Sequence, residues 1–310
     1  MKKFIKNILF FILIPSFIIF GSWLIYKQRI DTLKFKKNIS ILVCGDSHTE
    51  CGINDSILKN AVNISNSSEH FLYTFNVLNH LLRNNQQIKT VILGCSFHSF
   101  DGYDNILFEG DRAQSMYARY FPILDFESMA SIMHRNASGI FKSGINMYGK
   151  MAISIIKDSK FYEDYPFIGT YYKSDNSNLN DSTVITAIRR HYYQENGKLQ
   201  EFSNYQKLYF SKIVELCIKN NVKLIIINTP ISNNYLKRVP HKFILNYYST
   251  ISHLDNRISF WDFHSLDLEN KFFGDGDHLN SNGAKILTLK IDSMMNLQNK
   301  VPNDNKDYIQ

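Results

Sequence analysis

The chain has 310 residues, 44% of them hydrophobic and 14% aromatic, which supplies a substantial core and excludes a disordered protein. Its formal net charge of +7 is scattered, and the densest basic clusters, Lys2-Lys3-Lys6 and Lys27 to Lys37, flank a single apolar segment. This reads as membrane flanking rather than nucleic-acid binding, for which no zinc-type cysteine pairing, basic helix or aromatic RNA-binding signature is present.

The apolar segment is ILFFILIPSFIIFGSWLIY, residues 8–26, with no charge in it. Its length matches the roughly 20 residues a helix needs to cross the hydrocarbon core. Pro15 and Gly21 are tolerable there, and Trp23 and Tyr26 suit an interfacial belt. No small-x-small cleavage site and no lipid-accepting cysteine follow, so an uncleaved signal anchor is expected, with the bulk of the chain outside the cytoplasm. Residues 1–38 thus read as tail, anchor and basic linker, residues 39–300 as the folded domain, and residues 301–310 as a disordered tail.

Beyond the linker, strand candidates fall at 39–45, 61–65, 90–96, 222–230 and 257–263, several of them continuous apolar runs of the kind parallel strands use when both faces are covered. Helical patterns fall at 54–60, 69–84, 204–220, 236–254 and 281–298. This alternation predicts an α/β sandwich built on a parallel sheet, in which ligands bind beyond the carboxyl ends of the strands. The interval 99–202 breaks the rhythm. It carries weak helical patterns near 112–120, 127–135 and 144–157 and is too long for a plain loop, so it is read as a helical insertion or lid. Cys44, Cys51, Cys95 and Cys217 show no metal-ligand spacing; the strand and helix patterns around them favour small buried hydrophobes. No cofactor or metal is expected.

Three polar pieces lie at the predicted strand ends. Gly45-Asp46-Ser47-His48 sets a serine between a strand and a helix, either as a displayed nucleophile or as an ordinary N-cap. Within FFGDGDHLNSNGA, residues 272–284, Asp275 and His278 stand three apart, so one loop can carry a general base and the carboxylate that orients it. Asp277 competes with Asp275 for that orienting role. Gly94-Cys95-Ser96-Phe97-His98 and Asn63-Ile64-Ser65-Asn66-Ser67 end two other strands and offer oxyanion donors or plain turn polarity. His48, His98 and His264 read as hydrogen-bonded pocket or core histidines rather than second bases. His48 and His98, with Glu50 and Asn54, are also candidates to line the crevice.

Taken in order, strand–GDS, strand–polar turn, strand–GxS and a late D-x-x-H resemble the SGNH or GDSL hydrolase superfamily over roughly residues 39–100 and 222–298. The resemblance implies a three-layer flavodoxin-like sandwich of about five parallel strands, joined here to the N-terminal transmembrane helix and the insertion. It implies Ser47 as nucleophile with its own N–H in the oxyanion hole, His278 as base and Asp275 as the orienting acid. Ser96 stands where the family's third block has Asn, and the second block lacks its usual Gly, leaving Ser65, Asn66 or Ser67 to stand in. These departures resemble the divergent membrane-anchored branch that includes alginate O-acetyltransferase-like and teichoic-acid D-alanylation proteins. The expectation is therefore a serine esterase or O-acyltransferase acting on acyl, preferably acetyl, esters of a cell-surface glycan, with a membrane-bound acyl donor protein as a partner. The alternative is a catalytically weak or inactive carbohydrate-binding or scaffold protein on the same fold.

Overall fold

A computed structural model describes residues 2–102, 108, 110–156 and 165–300. The chain divides into two compact units, one of residues 36–71, 87–102 and 169–310, the other of residues 1–35, 72–86 and 103–168.

The first unit is built on five strands: β1 (Ile41–Cys44), β2 (Ala61–Asn63), β3 (Thr90–Gly94), β4 (Lys223–Asn228) and β5 (Ser259–Asp262). Every pairing is parallel and the order is β2-β1-β3-β4-β5. Register joins Val43 to Ile92, Ile92 to Ile225 and Ile227 to Trp261. These side chains share one face, since alternate residues of a strand point the same way. On that face Ile41, Val43, Ile92, Ile225, Ile227 and Trp261 cluster with Leu287 and Ile291 of the last helix, Ser281–Lys300. The apolar runs of β1 and β3, and of β4 after its first residue, are therefore buried on both faces, as parallel strands require, whereas the edge strand β5 is largely half-buried.

This order is flavodoxin-like. The chain leaves β1 toward one edge and returns past it to β3, so a crevice opens between the carboxyl ends of β1 and β3. Two glycines let the backbones close there. Gly45 sits at φ +140, and a Cβ on it would meet Thr49 Oγ1 at 2.6 Å and Gly94 Cα at 3.1 Å. A Cβ on Gly94 would meet Thr49 Cγ2 at 2.5 Å.

The five strands form where the apolar runs predict them, a residue or more shorter at most ends. The expected helix at 54–60 does not form. The helix starts earlier, as α2 (Ser47–Gly52), and Asn54 then closes a turn, its Oδ1 accepting from the Ser56 N–H at 3.0 Å. The expected 236–254 helix is interrupted at Pro240, which has no N–H to continue one, giving Asn233–Leu236 and His241–Ser252. Asp181–Tyr192 forms a helix where none is expected; Asn180 and Thr183 close it with a reciprocal capping box.

In the second unit α1 (Lys2–Asp31), α4 (Gly110–Tyr120) and α5 (Phe126–Ile156) join residues 72–84 of α3 (Phe71–Asn84). Tyr73 stacks on Tyr120 at 4.4 Å between ring centroids, and Asn76 Nδ2 donates to Ser128 Oγ at 2.8 Å. The patterns at 127–135 and 144–157 meet as α5, which kinks at Asn136 (φ −147, ψ 65), whose Oδ1 accepts from the Gly139 N–H. The expected membrane span, residues 8–26, falls within α1. Side chains at 4–10, 12, 15 and 19 lie outside the described residues, and among the described residues no helix is long and apolar enough to cross a membrane. Those described in that run include Phe11, Leu13, Ile14, Phe17, Ile18, Phe20, Leu24 and Ile25, all exposed. Residues 301–310 also lie outside the described residues.

Candidate active site

Strand β1 ends at Cys44, and Gly45 turns the chain into α2. Asp46, not Ser47, is the cap of that helix: its Oδ1 accepts from the His48 N–H at 2.9 Å. Its other oxygen takes His98 Nε2 at 2.8 Å. Burial would push the Asp46 carboxyl up, but the hydrogen bond and charge of His98 outweigh it and hold the group well below the ordinary carboxylate range. With capping done by its neighbour, the Ser47 hydroxyl is left to the crevice, where its Oγ lies 2.8 Å from His278 Nε2.

His278 comes from the loop between β5 and the Ser281–Lys300 helix. Asp275 folds this loop on itself, its Oδ1 accepting from the N–H groups of Asp277 at 3.1 Å and His278 at 2.9 Å. Both Asp275 oxygens lie 3.0 Å from His278 Nδ1. A continuous hydrogen-bond chain thus runs from Asp275 through His278 to Ser47, 231 residues apart at its last link.

Asp277 has a different place. It is fully buried, with Oδ2 2.8 Å from His191 Nε2 and 3.1 Å from Arg190 Nη2, and with Oδ1 3.6 Å from His278 Nδ1. It therefore acts on His278 by charge, while Asp275 makes the directed bond. Burial alone would lower the His278 pKa; the charge of Asp277 and the hydrogen bond of Asp275 overcome this and raise it to about 9. Burial raises the Asp277 carboxyl, but the charge of His278 and the bond from His191 pull it well below the ordinary range.

Among the other candidates, His48, which is buried, and His98, which is partly buried, join this site. Their ring centroids are 4.6 Å apart, and His48 lies 5.0 Å from His278. Ser96 is buried at the end of β3, but its N–H is taken by Ser99 Oγ at 2.8 Å. Ser65 gives its N–H to Asn63 Oδ1 at 2.9 Å, and Asn66 gives its backbone N–H to Gly45 O and its amide to Glu69 Oε2. These backbone donors are committed to holding turns. Glu50 accepts from the Ser67 hydroxyl, and Asn54 Oδ1 accepts from Ser56. His264 is tied to Asp262 at 2.6 Å, and all four cysteines are free and buried. Arg190 and His191 had no functional reading in the sequence; the capping box ahead of them marks their helix, but nothing local signals its approach to Asp277.

A five-stranded parallel α/β unit with a Ser–His–Asp hydrogen-bond chain at its switch point is the class these features define. No family model matches the chain, and no curated protein does. Among solved structures the chain is similar to a presumptive acylhydrolase from Bacteroides fragilis, at 15% identity and TM-score 0.40 over 88% of this chain and 95% of that one. It is similar also to a GDSL-like lipase from Bacteroides thetaiotaomicron, at 12% identity and TM-score 0.40 over 89% of this chain and 98% of that one. What the site does is read from the chain's own residues.

Proposed function

We propose that the chain is a membrane-anchored serine esterase or O-acyltransferase, working on acyl esters of a cell-surface glycan through an acyl-serine. The hydrogen-bond chain Asp275–His278–Ser47 carries this reading. With His278 neutral, Ser47 Oγ–H donates to Nε2. As Oγ attacks the ester carbonyl, its proton passes to His278, and the imidazolium is stabilised by Asp275 and Asp277. The tetrahedral oxyanion collapses, the ester C–O bond breaks, and the leaving alkoxide takes the proton from His278. A water or a sugar hydroxyl then gives its proton to His278 and attacks the acyl carbon; the acyl–Oγ bond breaks, Ser47 Oγ takes the proton back from His278, and acid or new ester is released. Among the described residues the Ser47 N–H makes no hydrogen bond, which leaves it available to the oxyanion.

The resemblance of the four blocks to SGNH enzymes, and of their departures to its membrane-anchored branch, supports a glycan acyl ester as substrate. The uncharged run at 8–26 supports the anchor and an extracytoplasmic active site. The test is full-length protein in detergent, assayed with 4-nitrophenyl acetate and labelled with a fluorophosphonate. Wild type hydrolyses and labels; Ser47→Ala does neither. Hydrolysis that survives Ser47→Ala sinks the acyl-serine mechanism, and a silent, unlabelled wild type favours a scaffold protein.

A further inference from the structure

Beside the serine, three imidazoles converge that the proposed acyl transfer does not use. His48 lies on α2, His98 follows β3, and His191 ends the Asp181–Tyr192 helix, so residues 50 and 93 positions apart in sequence are brought together only by the fold. One ring nitrogen from each lies within 4.8 Å of the other two. Centroid separations are 4.6 Å for His48–His98, 4.1 Å for His98–His191 and 6.1 Å for His48–His191.

Each ring is fixed through one nitrogen and has the other to spare. His98 Nε2 is held by Asp46 at 2.8 Å, His191 Nε2 by Asp277 at 2.8 Å, and His48 Nδ1 by Thr229 Oγ1 at 3.3 Å. Among the described residues nothing hydrogen-bonds to Nδ1 of His98 or His191. His48 Nε2 is fully buried and forms no hydrogen bond, although Asp277 Oδ2 stands 3.5 Å away. A buried ring nitrogen without a hydrogen bond is costly. A cation that accepts a lone pair from each of the three rings removes that penalty. A carboxylate or hydroxyl bonded to the far nitrogen is the outer support that metal-ligating histidines use to fix their orientation.

We infer that His48, His98 and His191 form a binding site for a divalent nitrogen-preferring metal ion, zinc(II), supported from behind by Thr229, Asp46 and Asp277. Imidazoles suit zinc, and three protein ligands leave a fourth position for water or a substrate oxygen. The His48 ring is 5.0 Å from that of His278, so the ion lies next to the serine site without using its base. The site stands whether or not Ser47 is a nucleophile.

The test uses full-length protein in detergent, stripped with a chelator, desalted and titrated with zinc chloride by calorimetry. One zinc per chain is expected, in Ser47→Ala as in wild type, so failure of the hydrolase reading and failure of the metal site separate cleanly. His98→Ala and His191→Ala should each lower affinity at least tenfold, Thr229→Val roughly tenfold, and His264→Ala not at all. Cobalt(II) added to stripped wild type should give the intense visible bands of a four-coordinate ion, a readout that needs no variant to fold. Absence of stoichiometric zinc, a weak octahedral cobalt spectrum, or wild-type affinity in both His98→Ala and His191→Ala overturns the site.

Discussion

Replacing Asp277 by Asn should move the pH dependence of the proposed ester hydrolysis toward acid. The carboxylate lies 3.6 Å from His278 Nδ1. At an effective dielectric of about 20 that separation is worth about 4.6 kcal/mol, or about 3.4 pKa units at 1.36 kcal/mol each. Burial opposes this and Asp275 shares the task, and the net result is a rise from 6.5 to about 9. Losing one of the two carboxylates should return about 1–2 units of that rise. Arg190, relieved of its counter-ion, pushes in the same direction. The rate constant kcat/KM reports the free enzyme's base, so in chelator-treated wild type it should climb with pH to a midpoint near 9, and in Asp277→Asn to one near 7 or 8. The variant-to-wild-type ratio should therefore grow about five- to twenty-fivefold between pH 9 and pH 7. An NMR titration of the His278 ring reads the same quantity without turnover. Parallel profiles, or a midpoint displaced toward alkali, would refute the assignment of Asp277 as an electrostatic partner. The variant should also unfold more easily, by about 3 kcal/mol, because His191 and Arg190 lose a charged acceptor.

The His278 pKa also predicts stability. Its folded value lies above its unfolded one, so the stabilisation is complete below pH 6.5 and fades as pH rises through about 9; His98 is raised too and acts with the same sign. The melting temperature of the Ser47→Ala protein should fall across that interval by the equivalent of about 3 kcal/mol, and a flat profile would contradict it. Asn63→Ala removes a buried amide that donates to Thr49 O at 2.9 Å and Ile53 O at 2.8 Å and accepts from the Ser65 N–H at 2.9 Å. It should cost about 3 kcal/mol in urea unfolding. Gly45→Ala combines positive-φ strain with a Cβ 2.6 Å from Thr49 Oγ1 and should cost a further about 3 kcal/mol, with loss of fluorophosphonate labelling as the β1–α2 turn shifts.

The sheet was legible because its strands are nearly pure apolar runs; ILVC and TVILG have every residue buried, a pattern a surface helix cannot imitate. What local pattern misjudged were boundaries set by single polar side chains. Asp46 starts α2 seven residues before the expected helix at 54–60, and Asn54 converts that segment into a turn. The interval 99–202 reads as one insertion in the sequence because its helical patterns have no strand between them. In the fold residues 103–168 group with α1 and residues 72–86, while residues 169–202 belong to the sheet unit. Contacts of that range leave no trace in periodicity.

The Asp275–His278 pair was legible for the opposite reason. Three positions in a glycine-rich turn fix the two side chains together almost independently of the rest of the chain, and Ser47 is fixed by the end of β1. What closes 231 positions between them is the parallel sheet, an architecture that the alternation of strand and helix already implies. Arg190 and His191 have no such local frame. They reach Asp277 only because the Asp181–Tyr192 helix docks there, and no spacing rule links positions 48, 98, 191 and 277. The contest between Asp275 and Asp277, open in the sequence, is resolved by geometry into two tasks. Asp275, with 36% of its side chain exposed, aims the imidazole through a bond, whereas Asp277, with none exposed, sets its proton affinity through charge. Around a fully solvated carboxylate at 3.6 Å the dielectric of water would cut the same interaction to about 1 kcal/mol, so the burial of Asp277 by His191 and Arg190 strengthens its hold on the His278 proton.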